Sequence, residues 1–569
     1  MKPLLFGLFL SLITIGILAC GGTSSGSQVP PVNEEKTAVL DSVDSTPAVI
    51  PTSSSMDSTQ GAQEGSKSPK EGGTFRRLWA DPPTLDPHLT TDTTSAGIVV
   101  EIFSGLVGIS TSLELVPDLA ESWEIDESGR VYTFFIRPDA KFHDGKQVTA
   151  QDFKWSIERA ANPKTGSPVA DVYLNDIVGF DDVFEGRTMD MEGVEVIDRL
   201  TLKITIDAAK AYFLAKLTYP TAYVLDRNNV ESGGSSWTDR PNGTGPFKLI
   251  EYKIGERIVL ERNDNYHREK PKINNVVMNL AGGQSMAMYE NDEIDITGVG
   301  LFDLDRVLDP NEPLNKELIV AGPAFSISYI GFNTSTPPFD DPKFRRALNH
   351  AIDKELIAKE VLSDLVVPAY GILPPGFPGY NNKLKGLEYD PGLALKLLNE
   401  SKYADPDNRP RIVVTVPGTG GTVGLDLEVI IEMWNRVLGV QVEIQQVEWA
   451  TYLQDLNAKK FQAFAGLGWE ADYPDPQDFL DVLFHTESSV NHGNYSNLEV
   501  DKLLEKARLE QDISKRIDLY NQAEALIIKD AAWVPLWYGG DRYVLVKSHV
   551  EDYRVTPMII PKLRHISFR

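Results

Sequence analysis

The sequence predicts a secreted α/β protein that folds into several lobes. Short strands and helices alternate from about residue 73 to residue 569, without an internal repeat. The segment 411–447 has the pattern of a strand, a helix and a second strand, which is a βαβ unit. An apolar stretch at the N-terminus has the length of a secretion signal. With 569 residues, the chain is long enough for three or four domains.

Charge and cysteine content exclude several classes of function. The chain has 55 Lys and Arg against 82 Asp and Glu, a net charge of −27. Proteins that bind nucleic acid need a positive surface to neutralise phosphates, so we expect no nucleic-acid partner. The single cysteine, Cys20, allows neither an internal disulfide nor a thiolate metal cluster.

The N-terminal segment explains this cysteine. Met1 and Lys2 precede the apolar run 4–18, which is too short to span a membrane comfortably but suits a signal peptide. The run ends in the sequence ILACGG, which resembles a bacterial lipobox. We therefore expect a signal peptide over 1–19 and a lipidated Cys20 that anchors the protein stably through two acyl chains. The alternative is an ordinary signal peptide with an incidental cysteine.

A change of composition marks the next segment, which extends to residue 72. Between residues 21 and 72, 27 of the 52 residues are Gly, Ser, Thr or Pro, and none is aromatic. Such a segment cannot bury enough apolar surface to offset the entropy lost on folding. We predict that residues 20–72 form a flexible tether.

Local patterns predict the first elements of the folded part. The segment 130–137 (RVYTFFIR) is typical of a strand, and 141–146 (KFHDGK) contains an Asp-Gly turn. Thr149 and Asp152 have the spacing of a capping box at the start of a helix. Further strands are predicted over 257–260 and 275–280, and one amphipathic helix over 344–361.

The βαβ unit predicts a mostly parallel sheet. A glycine-rich loop at 418–424 joins its first strand to its helix. The spacing of Gly418, Gly420 and Gly424 departs from the dinucleotide-binding pattern, and the chain is exported away from nucleotide pools. We interpret the loop as a tight strand-to-helix turn and expect no cofactor.

Patterns of catalytic residues are weak. The eight histidines are scattered without an H-E-x-x-H arrangement, and no G-x-S-x-G motif occurs, so we expect neither a metal site nor a catalytic residue. Glu470, Asp472 and Asp475 offer carboxylate pairs of the kind that a secreted glycosidase uses. Acidic residues are common in this acidic chain, so a hydrolase is only a remote alternative.

Motifs along nearly all of 73–569 resemble the family-5 extracellular solute-binding proteins, the peptide-binding receptors of bacterial ABC importers. In place of that family's Gly-Glu-hydrophobic-Asp, this chain has NDEIDI at 291–296. The motifs that carry the resemblance are TLDP at 84–87, LAESW at 119–123, the stretch 132–159, TGPF at 244–247, ERNDNY at 261–266, FRRALNHAIDKELI at 344–357, GWEADYPDPQDFL at 468–480 and NYSNLEVD at 494–501.

The resemblance implies the two-lobed α/β fold of periplasmic binding proteins of the cluster C type, with an inserted domain and a hinged cleft between the lobes. It places lobe I in three segments, with chain crossings near 330 and 540 as the hinge, where closure traps the ligand. The implied boundaries are lobe I at 73–112, 232–330 and 541–569, the inserted domain at 113–231, and lobe II at 331–540.

The resemblance also implies the ligand-binding residues. Asp472 matches the aspartate that binds the terminal ammonium of a peptide; the alternative is a turn residue ahead of Pro474. Gly468 and Glu470 match positions whose main-chain groups pair with an extended ligand. The remaining matches are Trp469 and Tyr473 as pocket walls or core residues, and Ser95 and Tyr173 as further ligand contacts.

The implied function is a monomeric, lipid-anchored receptor outside the cytoplasm that captures peptides and delivers them to membrane permease subunits. No basic residue matches unambiguously as the partner of the ligand's carboxylate, so peptide length and identity stay open. Relatives with this fold bind oligosaccharides, nickel chelates or haem. An oligosaccharide receptor is the main alternative, and the charged Asp472 favours a peptide.

Overall fold

The computed structural model describes residues 71–569. The predicted signal peptide, Cys20 and the predicted tether up to residue 70 lie outside the described residues. No helix within 71–569 has both the length and the apolar character that crossing a membrane requires.

A four-stranded sheet brings the start of the described chain against a segment 200 residues later. Its first pair is parallel and its other two pairs are antiparallel. The helix Thr93–Ile102 packs against this sheet, where Phe75, Ile98 and Leu260 are fully buried. The strands, in spatial order, are Thr74–Leu78, Asn275–Asn279, Arg257–Arg262 and Phe247–Lys253.

A three-stranded sheet joins the middle of the chain to its C-terminal part. The strand Arg542–Val546 lies between Ile296–Gly298 and Leu318–Ala321 and is antiparallel to both. Near the C-terminus, Val550–Glu551 pairs with Ser567–Phe568. Phe568 reaches the core of the four-stranded sheet, so the end of the chain packs against its beginning.

A second four-stranded sheet, entirely antiparallel, forms a separate core. The strand Val131–Ile136 and the 141–146 turn are confirmed, the turn closing through a hydrogen bond from the Phe142 N–H to the Lys146 carbonyl. The capping box of Thr149 and Asp152 is also confirmed at the start of the helix Ala150–Ala161. The strands, in spatial order, are Ala120–Ile125, Val131–Ile136, Thr201–Thr205 and Val194–Asp198, and a hairpin of Val107–Ile109 with Leu115–Pro117 lies outside this sheet.

The largest sheet has six strands and contains the predicted βαβ unit. The strands Ile412–Pro417 and Val442–Val447 are parallel and flank the helix Leu425–Leu438 in sequence, as predicted. The prediction of a mostly parallel sheet is wrong, because three of the five pairings are antiparallel. The strands, in spatial order, are Val366–Pro368, Trp533–Gly539, Ser326–Phe332, Ala463–Glu470, Ile412–Pro417 and Val442–Val447. We call Ala463–Glu470 the cavity strand.

The predicted single helix over 344–361 is interrupted. The helix Pro342–His350 ends before Asp353, whose side chain accepts a hydrogen bond from the Leu356 N–H and starts a new helix at Lys354–Leu356. A π-helical turn, Ile357–Val361, follows. An aspartate that bonds a backbone amide favours a helix start over a helix interior, which explains the break.

Further helices cover the sheets. The longer ones are Pro391–Asn399, Trp449–Asn457, Gln477–Phe484, Leu498–Leu509 and Ile513–Asp530. The shorter ones are Ala170–Tyr173, Phe180–Phe184, Phe213–Lys216, Arg227–Gly233, Ser285–Glu290 and Leu304–Leu308.

Candidate functional site

An enclosed cavity of about 180 Å³ lies where three regions of the chain meet. It adjoins two further cavities of about 510 and 830 Å³, since it shares Tyr329 and Gly468 with the first and Trp449 with the second. The polar and aromatic residues that line the enclosed cavity are Thr91, Asp92, Thr93, Tyr173, Tyr219, Tyr329, Trp449, Asn457, Trp469, Glu470, Asp472 and His492.

The cavity strand presents a free edge to this space. On one side it pairs with Ser326–Phe332 along its length, but on the other side Ile412–Pro417 pairs only with its beginning, at Ala463 and Phe464. Beyond Phe464 that second edge has no strand partner within residues 71–569.

Main-chain groups of Gly468 and Glu470 face this free edge. The Ala471 N–H donates to the Phe325 carbonyl at 2.8 Å, on the side of the paired strand. The direction of the backbone N–H and C=O groups alternates along a strand. Those of Trp469 therefore also point towards the paired strand, and those of Gly468 and Glu470 point towards the free edge. An extended chain in the cavity can therefore pair with these two residues as an added strand.

Asp472 lies directly beyond the cavity strand, with part of its side chain open to the cavity. The hydroxyl of Tyr173, at the end of the short helix Ala170–Tyr173, donates to its Oδ2. The Asp472 N–H donates to Oδ2 of Asp478 at 3.0 Å. Asp478 is fully buried on the helix Gln477–Phe484, so the start of this helix fixes the position of Asp472.

The charges around Asp472 and Asp478 would favour a bound cation. Burial, together with the nearby charge of Glu470, raises the pKa of Asp472 to about 7. Burial and the charge of Asp472 raise the pKa of Asp478 well above its ordinary value. No basic side chain in the described part of the chain forms an ion pair with Asp472. A bound ammonium group would supply the missing positive charge.

Two stacked tyrosines form one wall beside Asp472. The rings of Tyr173 and Tyr219 lie 3.8 Å apart between centroids and are almost parallel, at 6°. The Tyr219 hydroxyl donates to the Thr90 carbonyl at 3.0 Å, which ties the stack to the segment before the helix Thr93–Ile102. This wall therefore joins Asp472 to two other parts of the molecule.

Two tryptophans and a neutral histidine also line the cavity. The indole N–H groups of Trp449 and Trp469 are buried and make no hydrogen bond of normal geometry within residues 71–569. His492 has Nε2 at 3.0 Å from Oδ1 of Asn457, and burial lowers its pKa to about 3. His492 therefore carries no charge at neutral pH.

Glu470 differs from Asp472 because basic groups surround it. Burial raises its pKa, while the nearby charges of Lys562 and Arg542 act in the opposite direction. Both basic residues lie outside the cavity lining. The negative charge of Glu470 is therefore partly compensated by the protein itself.

The structure brings five of the seven predicted ligand-binding residues to the cavity. Two others lie elsewhere: Tyr473 is fully buried in the core behind Tyr173, and the hydroxyl of Ser95 accepts a hydrogen bond from the Thr84 N–H at 3.3 Å. Their roles as ligand contacts stay predictions, as do those of the five lining residues, Gly468, Trp469, Glu470, Asp472 and Tyr173.

Sequence reasoning missed four residues of the site. Asp478 lies six residues beyond Asp472 in the same motif and had no signal of its own. Asp92 had one, because an aspartate followed by Thr-Thr-Ser is typical of a helix start close to a matched motif. Tyr219 and Trp449 come from distant segments that no local pattern connects to Asp472.

The described residues also bear on the other patterns. Within 71–569, no group of three or more His, Asp or Glu side chains is arranged to hold a metal ion. In the glycine-rich loop, the Gly420 N–H donates to Gln446 at 2.6 Å and the Gln446 amide donates to the Gly421 carbonyl at 2.8 Å. The side chain of Gln446, on the strand Val442–Val447, therefore forms hydrogen bonds with these main-chain groups of the loop.

Comparison with known proteins identifies the family. The model for "Bacterial extracellular solute-binding proteins, family 5 Middle" matches residues 114–491. The chain belongs to this family. It is 30% identical over 475 residues to the probable deoxycholate-binding periplasmic protein YgiS of Escherichia coli, covering 81% of this chain and 86% of YgiS. It is 30% identical over 496 residues to the periplasmic oligopeptide-binding protein OppA of the same organism, covering 83% and 87%.

Solved structures of one relative indicate which conformation this solute-binding protein adopts. The E. coli murein tripeptide-binding protein MppA superimposes with a TM-score of 0.78, at 28% identity, over 88% of this chain and 98% of MppA. The unliganded open form of MppA, with the same coverage, gives 0.62 at 27% identity. The family-5 chain is therefore more similar to the first of these MppA structures than to the unliganded open form.

Proposed function

We propose that this protein is a receptor outside the cytoplasm that captures peptides in a closing cleft and delivers them to an ABC importer. The observation that carries the proposal is Asp472, an ionisable carboxylate without a basic partner at the end of a free strand edge. A peptide can satisfy both features. Its terminal ammonium can pair with the carboxylate, and its backbone donors and acceptors can pair with the free edge.

The names of the relatives support this assignment. OppA and MppA are described as binding oligopeptides and a murein tripeptide. YgiS is described as probably binding deoxycholate, whose carboxylate would enter a cavity lined by Asp92, Glu470 and Asp472. Like charges repel, so the carboxylates of the lining favour a ligand with a positive group, such as a peptide's ammonium, over an anionic bile acid.

The adjoining cavities support a ligand longer than a dipeptide. They extend the space past Gly468 and Trp449, to about 510 Å³ on one side and 830 Å³ on the other. An extended chain advances about 3.3 Å per residue, and the adjoining cavities provide space for such an extension.

Two lobes with an inserted domain would form this cleft. We assign lobe I to 73–112, 232–330 and 541–569, the inserted domain to 113–231, and lobe II to 331–540. Chain crossings near 330 and 540 would act as the hinge, and Tyr173 would bring the inserted domain against Asp472 on closure.

Lipid anchoring and the partners form a further part of the proposal. The lipobox-like ILAC sequence and the cysteine-free remainder support a lipidated Cys20 that holds a monomeric receptor at the cell membrane, beside its permease subunits. The family supports a binding role, and the proposal assigns no catalytic role to the residues of the cavity.

The anchor has a direct test. Cys20→Ser is expected to release the protein from membranes or to leave its signal peptide uncleaved, because the acceptor of the acyl chains is lost. Cell fractionation and gel mobility measure both effects. A variant that fractionates and migrates like the wild type would contradict the anchor.

Mass spectrometry of the ligand that co-purifies with the protein tests the proposed function. The expected result is a set of peptides with free N-termini. A sugar or a bile acid as the bound species would contradict it.

A further inference from the structure

The cavity strand separates two cavities that meet at its free edge. In the register of the six-stranded sheet, Trp469 lies opposite Ile327, and its neighbour Gly468 lies opposite Ser328. Successive residues of a strand point to opposite faces of a sheet. Trp469 lines the enclosed cavity of about 180 Å³, and Ser328 and its other strand partner, Trp537, line the adjoining cavity of about 510 Å³. The two cavities therefore lie on opposite faces of the sheet.

Five apolar side chains of the enclosed cavity come from two consecutive elements of the chain. On the helix Trp449–Asn457 they are spaced by four and three residues, which puts them on one side of the helix. On the cavity strand they are two residues apart, which puts them on one face of the sheet. These side chains are Trp449, Leu453, Leu456, Leu467 and Trp469.

The lining leaves apolar surface uncovered. All of these five side chains except Leu456 are only partly buried. The polar pair beside them is already satisfied, because Oδ1 of Asn457, the residue after Leu456, lies 3.0 Å from Nε2 of His492. An apolar ligand side chain gains affinity by covering this surface, whereas a polar one loses its hydration there without gaining a partner.

An extended peptide would place its side chains alternately in the two cavities. Its ammonium at Asp472 lies beyond the end of the cavity strand and its backbone pairs with Glu470 and then Gly468, so the peptide runs antiparallel to this strand. Residues directly opposite each other in an antiparallel pair point to the same face. The peptide residue opposite Trp469, the second or third when counted from Asp472, therefore points into the enclosed cavity. The residues before and after it point to the face of the larger cavity.

We propose that the site selects peptides by one side chain, a bulky apolar one opposite Trp469, and that it does not select the two neighbouring side chains. The proposal rests on the proposed peptide-binding function and names its preferred substrates. Leu453 is then a specificity-determining residue, since it lines the enclosed cavity and takes no part in strand pairing or in binding the ammonium.

Calorimetry on ligand-free protein with a positional scan of peptides tests the selection. The probes are alanine pentapeptides with a free N-terminus, in which one of positions 1 to 4 carries either phenylalanine or the polar residue glutamine. At position 2 or at position 3, phenylalanine is expected to bind about tenfold more tightly than glutamine, the order of effect of burying one large apolar side chain. At the positions directly before and after the selected one, the two residues should bind within about threefold of each other.

Leu453→Ala reduces the apolar surface of the enclosed cavity and keeps the helix, because alanine has the highest helix propensity. The phenylalanine preference at the selected position is expected to fall to about threefold or less, with the affinity for the glutamine peptides unchanged. Leu395→Ala is the matched control, since Leu395 is an exposed leucine of the helix Pro391–Asn399 and lines none of the three cavities. It should keep the full preference.

The scan on the wild type decides the matter even if a variant fails to fold. No preference, equal preferences at two adjacent positions, a preference at position 1 or 4 alone, or one that survives Leu453→Ala would overturn this inference and leave the peptide receptor intact. The same holds if the protein binds none of these pentapeptides but co-purifies with other peptides. Failure to bind any of them, with another class of molecule as the co-purified ligand, would overturn the proposed function and this inference together.

Discussion

Asp472 is held in an environment that disfavours its own charge. Burial and the charge of Glu470 raise the pKa of Asp472. The hydrogen bond from Tyr173 lowers this pKa, but by less than burial raises it. An empty site of this kind makes the folded protein less stable at neutral pH than it would be with a neutral side chain. The same uncompensated charge is what attracts an ammonium group, so ligand affinity and the stability of the empty protein are in conflict at this residue.

This conflict predicts a pH-dependent effect of Asp472→Asn. The folded-state pKa is about 7, against an unfolded value of about 3.9, so between these limits the folded state retains a proton that the unfolded state has lost. Wild-type stability should therefore fall as the pH rises from about 4 to 7. Asp472→Asn removes this loss. The free energy of unfolding of the ligand-free variant, minus that of the ligand-free wild type, should therefore be about 1–4 kcal/mol larger at pH 8 than at pH 4.

Urea denaturation of ligand-free protein between pH 4 and pH 8 measures the difference. Part of the gain acts through Asp478, whose pKa Asp472 also raises. Asp390→Asn, at the exposed cap of the helix Pro391–Asn399, should follow the wild-type curve. Parallel curves for wild type and Asp472→Asn would show that Asp472 is not the strained group described here.

Single residues of the site could be predicted from the sequence where they lie in a contiguous motif, but not from patterns of charge alone. Asp472 could be found from the sequence because it lies in a contiguous motif with Trp469 and Tyr473. Asp478 could not be assigned, because its role depends on its burial and on the hydrogen bond that it accepts from the Asp472 N–H. Ser95 illustrates the limit: it lies three residues from Asp92, yet its hydroxyl turns towards Thr84.

Among the elements, the cavity strand has the central role. Its neighbour Ile412–Pro417 pairs only with Ala463 and Phe464 before the two strands part, which exposes the edge of Gly468 and Glu470. On its other side, the pairing with Ser326–Phe332 holds the strand in place. The free edge and the fixed edge together allow a ligand to be added without rearrangement of the sheet.

A close backbone approach makes Gly468 a sensitive position. A Cβ at this residue would lie 2.7 Å from the Ile327 carbonyl oxygen, which belongs to the paired strand and cannot move freely. Gly468→Ala should displace the cavity strand, lower stability by about 1–3 kcal/mol and weaken peptide binding. Thermal unfolding and calorimetry measure the two effects.

Gly421→Ala is the matched control, because a Cβ there would meet no atom within 4 Å. It should leave both quantities close to their wild-type values. If Gly468→Ala also left them unchanged, the close packing of the cavity strand against Ser326–Phe332 would be contradicted.

Elements follow from local sequence where local interactions decide them. The capping box at Thr149 and the strand Val131–Ile136 were predictable for this reason. The predicted 344–361 helix breaks at Asp353 because the Asp353 side chain accepts a hydrogen bond from the Leu356 N–H, and hydrophobic periodicity contains no information about this bond. Strand directions in the six-stranded sheet depend on segments far apart in sequence, and the βαβ unit alone predicted them wrongly.

For the whole molecule, the site exists only because distant regions converge. Tyr173 and Asp472 are 299 residues apart in sequence and share a hydrogen bond. Local patterns cannot predict such a contact; the family resemblance implied only that both residues lie at the ligand. The chain is less similar to the unliganded open form of MppA than to the other MppA structure.

Closure should therefore be measurable in solution. If cleft contacts favour the closed state, a bound peptide should reduce the radius of gyration in small-angle scattering. A chain without residues 1–70 keeps the proposed lipid anchor and the sequence-predicted tether from contributing to the signal. An unchanged radius at saturating peptide would contradict the hinge model.

The central claim is that Asp472 binds the terminal ammonium of a peptide. Calorimetry on four combinations tests it most directly: wild type and Asp472→Asn, each with a free and an N-acetylated form of one peptide. Asp472→Asn keeps the shape of the side chain and removes its charge, and acetylation removes the positive charge of the ligand.

Each single change is expected to weaken binding by about 3–5 kcal/mol, because it leaves one buried charge without its partner. Both changes remove the same interaction, so together they should cost much less than the sum of the two. Losses that add, or no loss from either change, would contradict the assignment of Asp472 as the residue that binds the peptide's amino terminus.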